Sequence, residues 1–131
     1  MLSSQGKACG VYQLLAPIDA ADTAAATGVW IDVSGCVGDL VLIVNVGVVT
    51  AGSIVPSLHT ASDVGGTGDT LMVPNGDEGV CTTVTTSNDP MIIKRTYDSR
   101  SCLGWVAFVG TVTTGPVCVS ATLQAHPKYI T

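Results

Sequence analysis

Charge is what this sequence has least of. Asp, Glu, Lys and Arg make up 11% of its 131 residues, and only five residues are basic. Five cations scattered on a chain of net charge −5 cannot follow a phosphate backbone, which argues against nucleic acid as a partner. Lys94, Arg95 and Arg100 fall close together; they read as a solvated loop or a salt bridge across an interface rather than a phosphate site. Long apolar runs are missing too. The longest, over 40–49, is broken by Asn45 and Gly47, short of the roughly 20 residues a membrane helix needs. The first ten residues are polar and lead into no cleavable apolar segment, so synthesis in the cytoplasm without secretion is expected.

Chemistry is equally sparse. The five cysteines, Cys9, Cys36, Cys81, Cys102 and Cys118, include no C-x-x-C pair, and neither His59 nor His126 is spaced to join them. No zinc site is expected, and the thiols read as small buried hydrophobes, with one disulfide left open. No G-x-S-x-G elbow occurs, His59 lies in a strand-like stretch, and His126 precedes Pro127. Asp77 and Glu78 sit among Pro74, Asn75, Gly76 and Gly79, which marks turn chemistry. The stretch 65–69 is Gly-rich but lacks the Lys and the following helix of a P-loop, and reads as a loop tip. The expectation is a protein that is not an enzyme and holds no cofactor and no metal.

Val, Thr, Ala and Gly fill the space that charge leaves. β-branched residues pack well on pleated strands, and Gly serves the turns between them. Strands are expected over 29–33, 39–46, 54–61, 70–73, 80–86, 91–94, 103–112 and 117–125, in one all-β sandwich or barrel. No amphipathic helix is apparent. Residues 1–27 show no strand period and contain Pro17 and the small-residue run 20–26, so they read as an extended N-terminal arm ahead of a sandwich domain over 28–131. One internal echo stands out: Val46-Gly47-Val48-Val49-Thr50-Ala51-Gly52 returns 63 residues later as Val109-Gly110-Thr111-Val112-Thr113-Thr114-Gly115. Each copy reads as a hairpin with a glycine turn, with Leu40, Ile43 and Ser57 matched to Leu103, Val106 and Ser120.

The stretches 28–33, 38–47, 62–63 and 106–123 together resemble the small β-sandwich structural proteins of tailed bacteriophages. That resemblance covers about residues 28–125; 71–100 lies outside any named pattern. It implies a jelly-roll-like antiparallel β-sandwich acting as a capsid decoration, or cement, protein on the outer surface of the head. Its partner would be the major capsid protein, whose neighbouring subunits it would bridge. A homo-oligomer is implied, a trimer rather than a dimer, and neither membrane nor nucleic acid is a partner. On this view Val11, Tyr12, Leu14 and Leu15 anchor the arm to an adjacent subunit. Other expectations from the same sequence are a tail, connector or head-fibre component, or a carbohydrate- or receptor-binding sandwich. Trp30, Trp105 and three tyrosines supply few aromatics for sugar stacking.

Overall fold

A computed structural model describes residues 10–20, 25–114 and 116–127. The chain is an all-β antiparallel sandwich, as its composition implied. Its strands are β1 (Gly10–Ala20), β2 (Ala25–Thr27), β3 (Ile31–Asp32), β4 (Cys36–Val49), β5 (Ser53–Ala61), β6 (Thr70–Leu71), β7 (Val84–Thr85), β8 (Met91–Asp98), β9 (Trp105–Thr113) and β10 (Val117–Pro127). One sheet has the order β1-β10-β4-β8; the other runs β2-β9-β5-β6, with β3 also on β9 and β7 also on β5. The helical content of the described residues is two single 3-10 turns, Gly76–Glu78 and Ser99–Ser101.

Strand alternation builds the core. On β4, Leu40, Leu42, Val44 and Val46 are fully buried, while Val41, Ile43 and Asn45 face away. Ile54 and Leu58 of β5 and Val106 and Phe108 of β9 meet them from the second sheet. Each such side chain gains about 1.5–3 kcal/mol by leaving water. The lone Phe needs room: a Cβ at Gly110 would lie 3.0 Å from the Phe108 ring and 3.0 Å from Ile54 Cδ1. Glycine there lets the ring lie flat across its own strand.

The segment expected as a free arm is, where it is described, part of the sandwich. β1 pairs along β10 from Gly10↔Ala125 to Ala20↔Val117, with register shifts at 13–15 and 15–18. Those irregularities explain why no period of two was visible. The first puts the consecutive residues Leu14 and Leu15 both inward, at 1% and 7% exposure. The residues 25–27 pair with β9; 1–9 and 21–24 lie outside the described residues.

The internal echo marks a real correspondence of a different kind from the one expected. The turn 50–52 leads from β4 in one sheet to β5 in the other, and β9 likewise crosses to β10. Neither is a hairpin; each is an arch over the edge of the sandwich. The two arches interlock, because β4 pairs with β10 and β5 with β9. Val49 faces Val117 in one sheet and Ile54 faces Val112 in the other, and a shift of 63 residues exchanges the two pairs. Further out the match fails. A bulge at 46–49 changes the phase of β4 against β10, so Leu40 is buried where Leu103 is 54% exposed. Gly52 carries the arch: its φ is +75°, and a Cβ there would lie 1.8 Å from the Thr113 carbonyl oxygen.

Candidate functional site

Between the end of β6 and the start of β7 the chain leaves the sheets and closes one side of the sandwich. Met72 N donates to Leu58 O at 2.9 Å, and Asn75 N donates to Thr96 O at 2.8 Å, so this crossing ties the edge of each sheet to the other. Thr96 N donates to Glu78 Oε1 at 3.0 Å, and the Thr96 hydroxyl donates to the same carboxylate. Arg95 completes the clasp, with Nε on Gly79 O at 3.1 Å and Nη2 on Val80 O at 3.2 Å. These bonds satisfy edge groups of β8 that would otherwise stand open. They also hold Glu78 below the ordinary carboxylate range, first through the Thr96 hydroxyl and further through its N–H and Arg95.

Under this crossing lies an apolar groove of about 210 Å³, floored by Met72, Cys81 and Tyr97 and opening between Leu71, Val73 and Val80. The floor is buried, while Leu71, Val73 and Val80 are 53%, 74% and 73% exposed, and nearby Val55 is 41% exposed. The Tyr97 hydroxyl and the Cys81 thiol approach each other at 3.8 Å. Burial pushes both groups up, so both stay neutral at physiological pH. A neutral, buried floor inside a ring of exposed aliphatic side chains suits the insertion of an apolar anchor from a partner. Nothing in the sequence assembled these residues: it pointed to separate strands over 70–73 and 80–86, of which the structure forms 70–71 and 84–85. The one signal was Leu71, Met72, Val73 and Val80 standing among turn residues.

The residues expected to anchor an arm divide. Leu14 and Leu15 belong to this chain's own core and Tyr12 is partly buried against it, whereas Val11 is 66% exposed on β1. The two leucines therefore hold β1 in place and present nothing to a neighbour. The cations also separate: Lys94 is exposed, Arg95 holds the crossing, and Arg100 Nη2 lies 2.9 Å from Asp98 Oδ2. Three cysteines behave as expected, Cys81 buried and Cys36 and Cys102 partly so, but Cys118 is exposed; all four are free thiols, and Cys9 lies outside the described residues.

His59 Nδ1 meets Asp69 Oδ1 at 2.6 Å and so ties β5 to the Gly-rich loop. The neighbouring Ser57 hydroxyl is engaged, donating to Val109 O at 2.8 Å. The loop itself is a knitted turn. Asp63 Oδ1 accepts from Gly65 N at 2.9 Å and from Thr67 N at 3.2 Å, and Gly66 packs against the Trp30 indole. Trp30 and Trp105 are both half-buried. Among the described residues no three His, Cys, Asp or Glu side chains are grouped to hold a metal ion.

No protein family matches the chain, and no curated protein does. Among solved structures its fold is similar to that of SPBc2 prophage-derived protein YomS, with a TM-score of 0.58 and 12% sequence identity. The likeness covers 89% of this chain and 91% of that one. At that identity it concerns the fold.

Proposed function

We propose that this chain is a structural protein of a tailed-phage particle, a decoration protein that binds the outer surface of the head and bridges neighbouring major capsid proteins. It acts by contact and not by catalysis, and it is made in the host cytoplasm before joining the virion. What carries this reading is the ring of exposed aliphatic side chains around the groove, Leu71, Val73 and Val80, on a sandwich otherwise poor in charge. A ring of that kind is costly to leave in water and is stabilised when a partner covers it. The similarity in fold to a prophage-derived protein along nearly the whole of both chains supports a phage setting. So does the sequence resemblance to phage sandwich proteins. A bridging protein must be rigid to resist expansion of a DNA-filled shell, and the clasp at Arg95, Glu78 and Asn75 fixes the groove before any partner arrives.

The test is the copy number of the chain in purified particles, by quantitative mass spectrometry against the major capsid protein. Hundreds of copies in a simple ratio to the coat subunit are expected. A handful would move the chain to the tail or connector, and absence would end the virion reading. With particles in hand, Val73→Asp with Val80→Asp should abolish binding to undecorated shells while the fold, followed by circular dichroism, is kept.

A further inference from the structure

The outer face of the four-stranded sheet is the second large surface without a partner. Its central strands present Val41, Ile43 and Asn45 from β4 opposite Gln124, Thr122 and Ser120 from β10. At the flanks β1 adds Val11 and Gln13, and β8 adds Ile92, Lys94 and Thr96. Val11 and Ile92, on the two outermost strands, are 66% and 69% exposed. The charges among the side chains described across this field are Lys94 and, at its β8 edge, Glu78, whose carboxylate accepts from the Thr96 hydroxyl. The carboxylates Asp39 and Asp98 lie opposite each other at one corner, where Asp98 is paired with Arg100 and Asp39 accepts from Asn75. A solvated sheet face normally carries Lys, Glu or Arg between its apolar residues, whereas depletion of charge marks the centre of an interface.

We infer that this face pairs with the same face of a second copy, giving a two-fold dimer of sandwiches stacked sheet on sheet. Three features of the face select a second copy as its occupant. The first is self-complementarity. A two-fold interface sets a patch against itself, and Ser120, Thr122, Asn45, Gln13 and Gln124 each carry both donor and acceptor. The second is size. Four strands about 4.8 Å apart and about 35 Å long make a face of about 700 Å², near the roughly 800 Å² per partner of a standard stable interface. The third is charge. Two copies of net charge −5 repel, and the carboxylates of this face, Glu78, Asp39 and Asp98, gather toward one corner, leaving its centre without one. The exposed Cys118 thiol lies on the same face beside Gly47, where a Cβ would be 3.3 Å from Cys118 Cβ, and so reports on whether the face is covered. The dimer does not depend on the virion assignment, and it departs from the trimer that the resemblance implies.

The experiment is sedimentation equilibrium of the full chain up to about 100 μM, a range in which even a weak specific interface assembles. The expected mass is twice 13.3 kDa, and alkylation of Cys118, followed by peptide mass spectrometry, should slow as the dimer forms. Ile43→Lys with Thr122→Lys, both on outward half-buried positions, should weaken the dimer about 100-fold or more. If that pair fails to fold, Ile92→Lys with Gln124→Lys, at exposed positions, makes the same test. Val73→Lys with Val80→Lys at the groove should leave the dimer intact. A chain that stays monomeric at the top concentration overturns the inference. So does a trimer, which a two-fold pairing cannot close. A dimer lost through the groove variants but kept in the sheet-face variants also overturns it.

Discussion

Truncating Leu14 separates a strand of the core from an arm reaching for a partner. Leu14 is 1% exposed and sits on β1 just where the register slips, beside an equally inward Leu15. Leu14→Ala removes its buried branch and leaves a cavity, at a cost of about 3 kcal/mol, the lower part of the range for such changes because an edge strand can partly collapse. Val11→Ala on the same strand removes a side chain that is 66% exposed, and should cost under about 0.5 kcal/mol. Urea unfolding at fixed protein concentration, where self-association contributes equally to each variant, gives both values. A lowered midpoint with unchanged slope is expected for Leu14→Ala, with a fall in Tm of about 10 °C. Equal midpoints for the two variants would refute the packing of β1 and return residues 10–20 to the role of a free arm.

Other perturbations follow from the turns and the charges. Gly52→Ala places a Cβ 1.8 Å from the Thr113 carbonyl at positive φ, and should cost about 3 kcal/mol or more, or prevent folding, as read from soluble yield and melting. Thr114 holds a φ of +54° with a β-branched side chain, so Thr114→Gly should raise stability by about 1 kcal/mol and Tm by a few degrees. Acid should destabilise the protein. Glu78, Asp63 and Asp98 are held below the ordinary carboxyl range, chiefly by hydrogen bonds from Thr96, Thr67 and Arg100 respectively. The folded chain therefore binds fewer protons than the unfolded one. Their contribution is complete above about pH 5 and is lost as pH falls through the lowered values, and Glu78→Gln should flatten part of that slope in urea midpoints taken across pH. Cys81, buried and with its thiol pushed up, should resist iodoacetamide until the protein unfolds.

Much of the sandwich was legible because its long strands keep alternation over most of their length. Leu40, Leu42, Val44 and Val46 point one way along β4, as do Ile54 and Leu58 of β5, Val106, Phe108 and Val112 of β9, and Val119, Ala121 and Leu123 of β10. β1 was illegible for a local reason: two register shifts and Pro17 break the period, and a bulge hides a strand by making neighbouring residues share a face. The arches were misread as hairpins because a glycine at positive φ serves either connection. Whether Gly52 returns the chain to its own sheet or sends it across depends on partners some sixty residues away. The groove was the least visible. Val73 and Val80 come together only because Glu78 and Arg95 clasp the crossing to β8, and hydrogen bonds of that kind leave no period in a sequence.

The interlocked arches also govern time. Val49 cannot meet Val117, nor Ile54 meet Val112, until chain about sixty residues apart in sequence has been gathered. Neither arch has its sheet partner until the other is in place. Entropy lost in closing such long loops comes before the contacts that reward it, so folding should be slow for a domain of this length. The same coupling acts in reverse. Peeling β10 from β4 strips one arch and exposes the base of the other, so the barrier to opening includes both central pairings at once. A chain built this way persists through slow unfolding as much as through equilibrium stability.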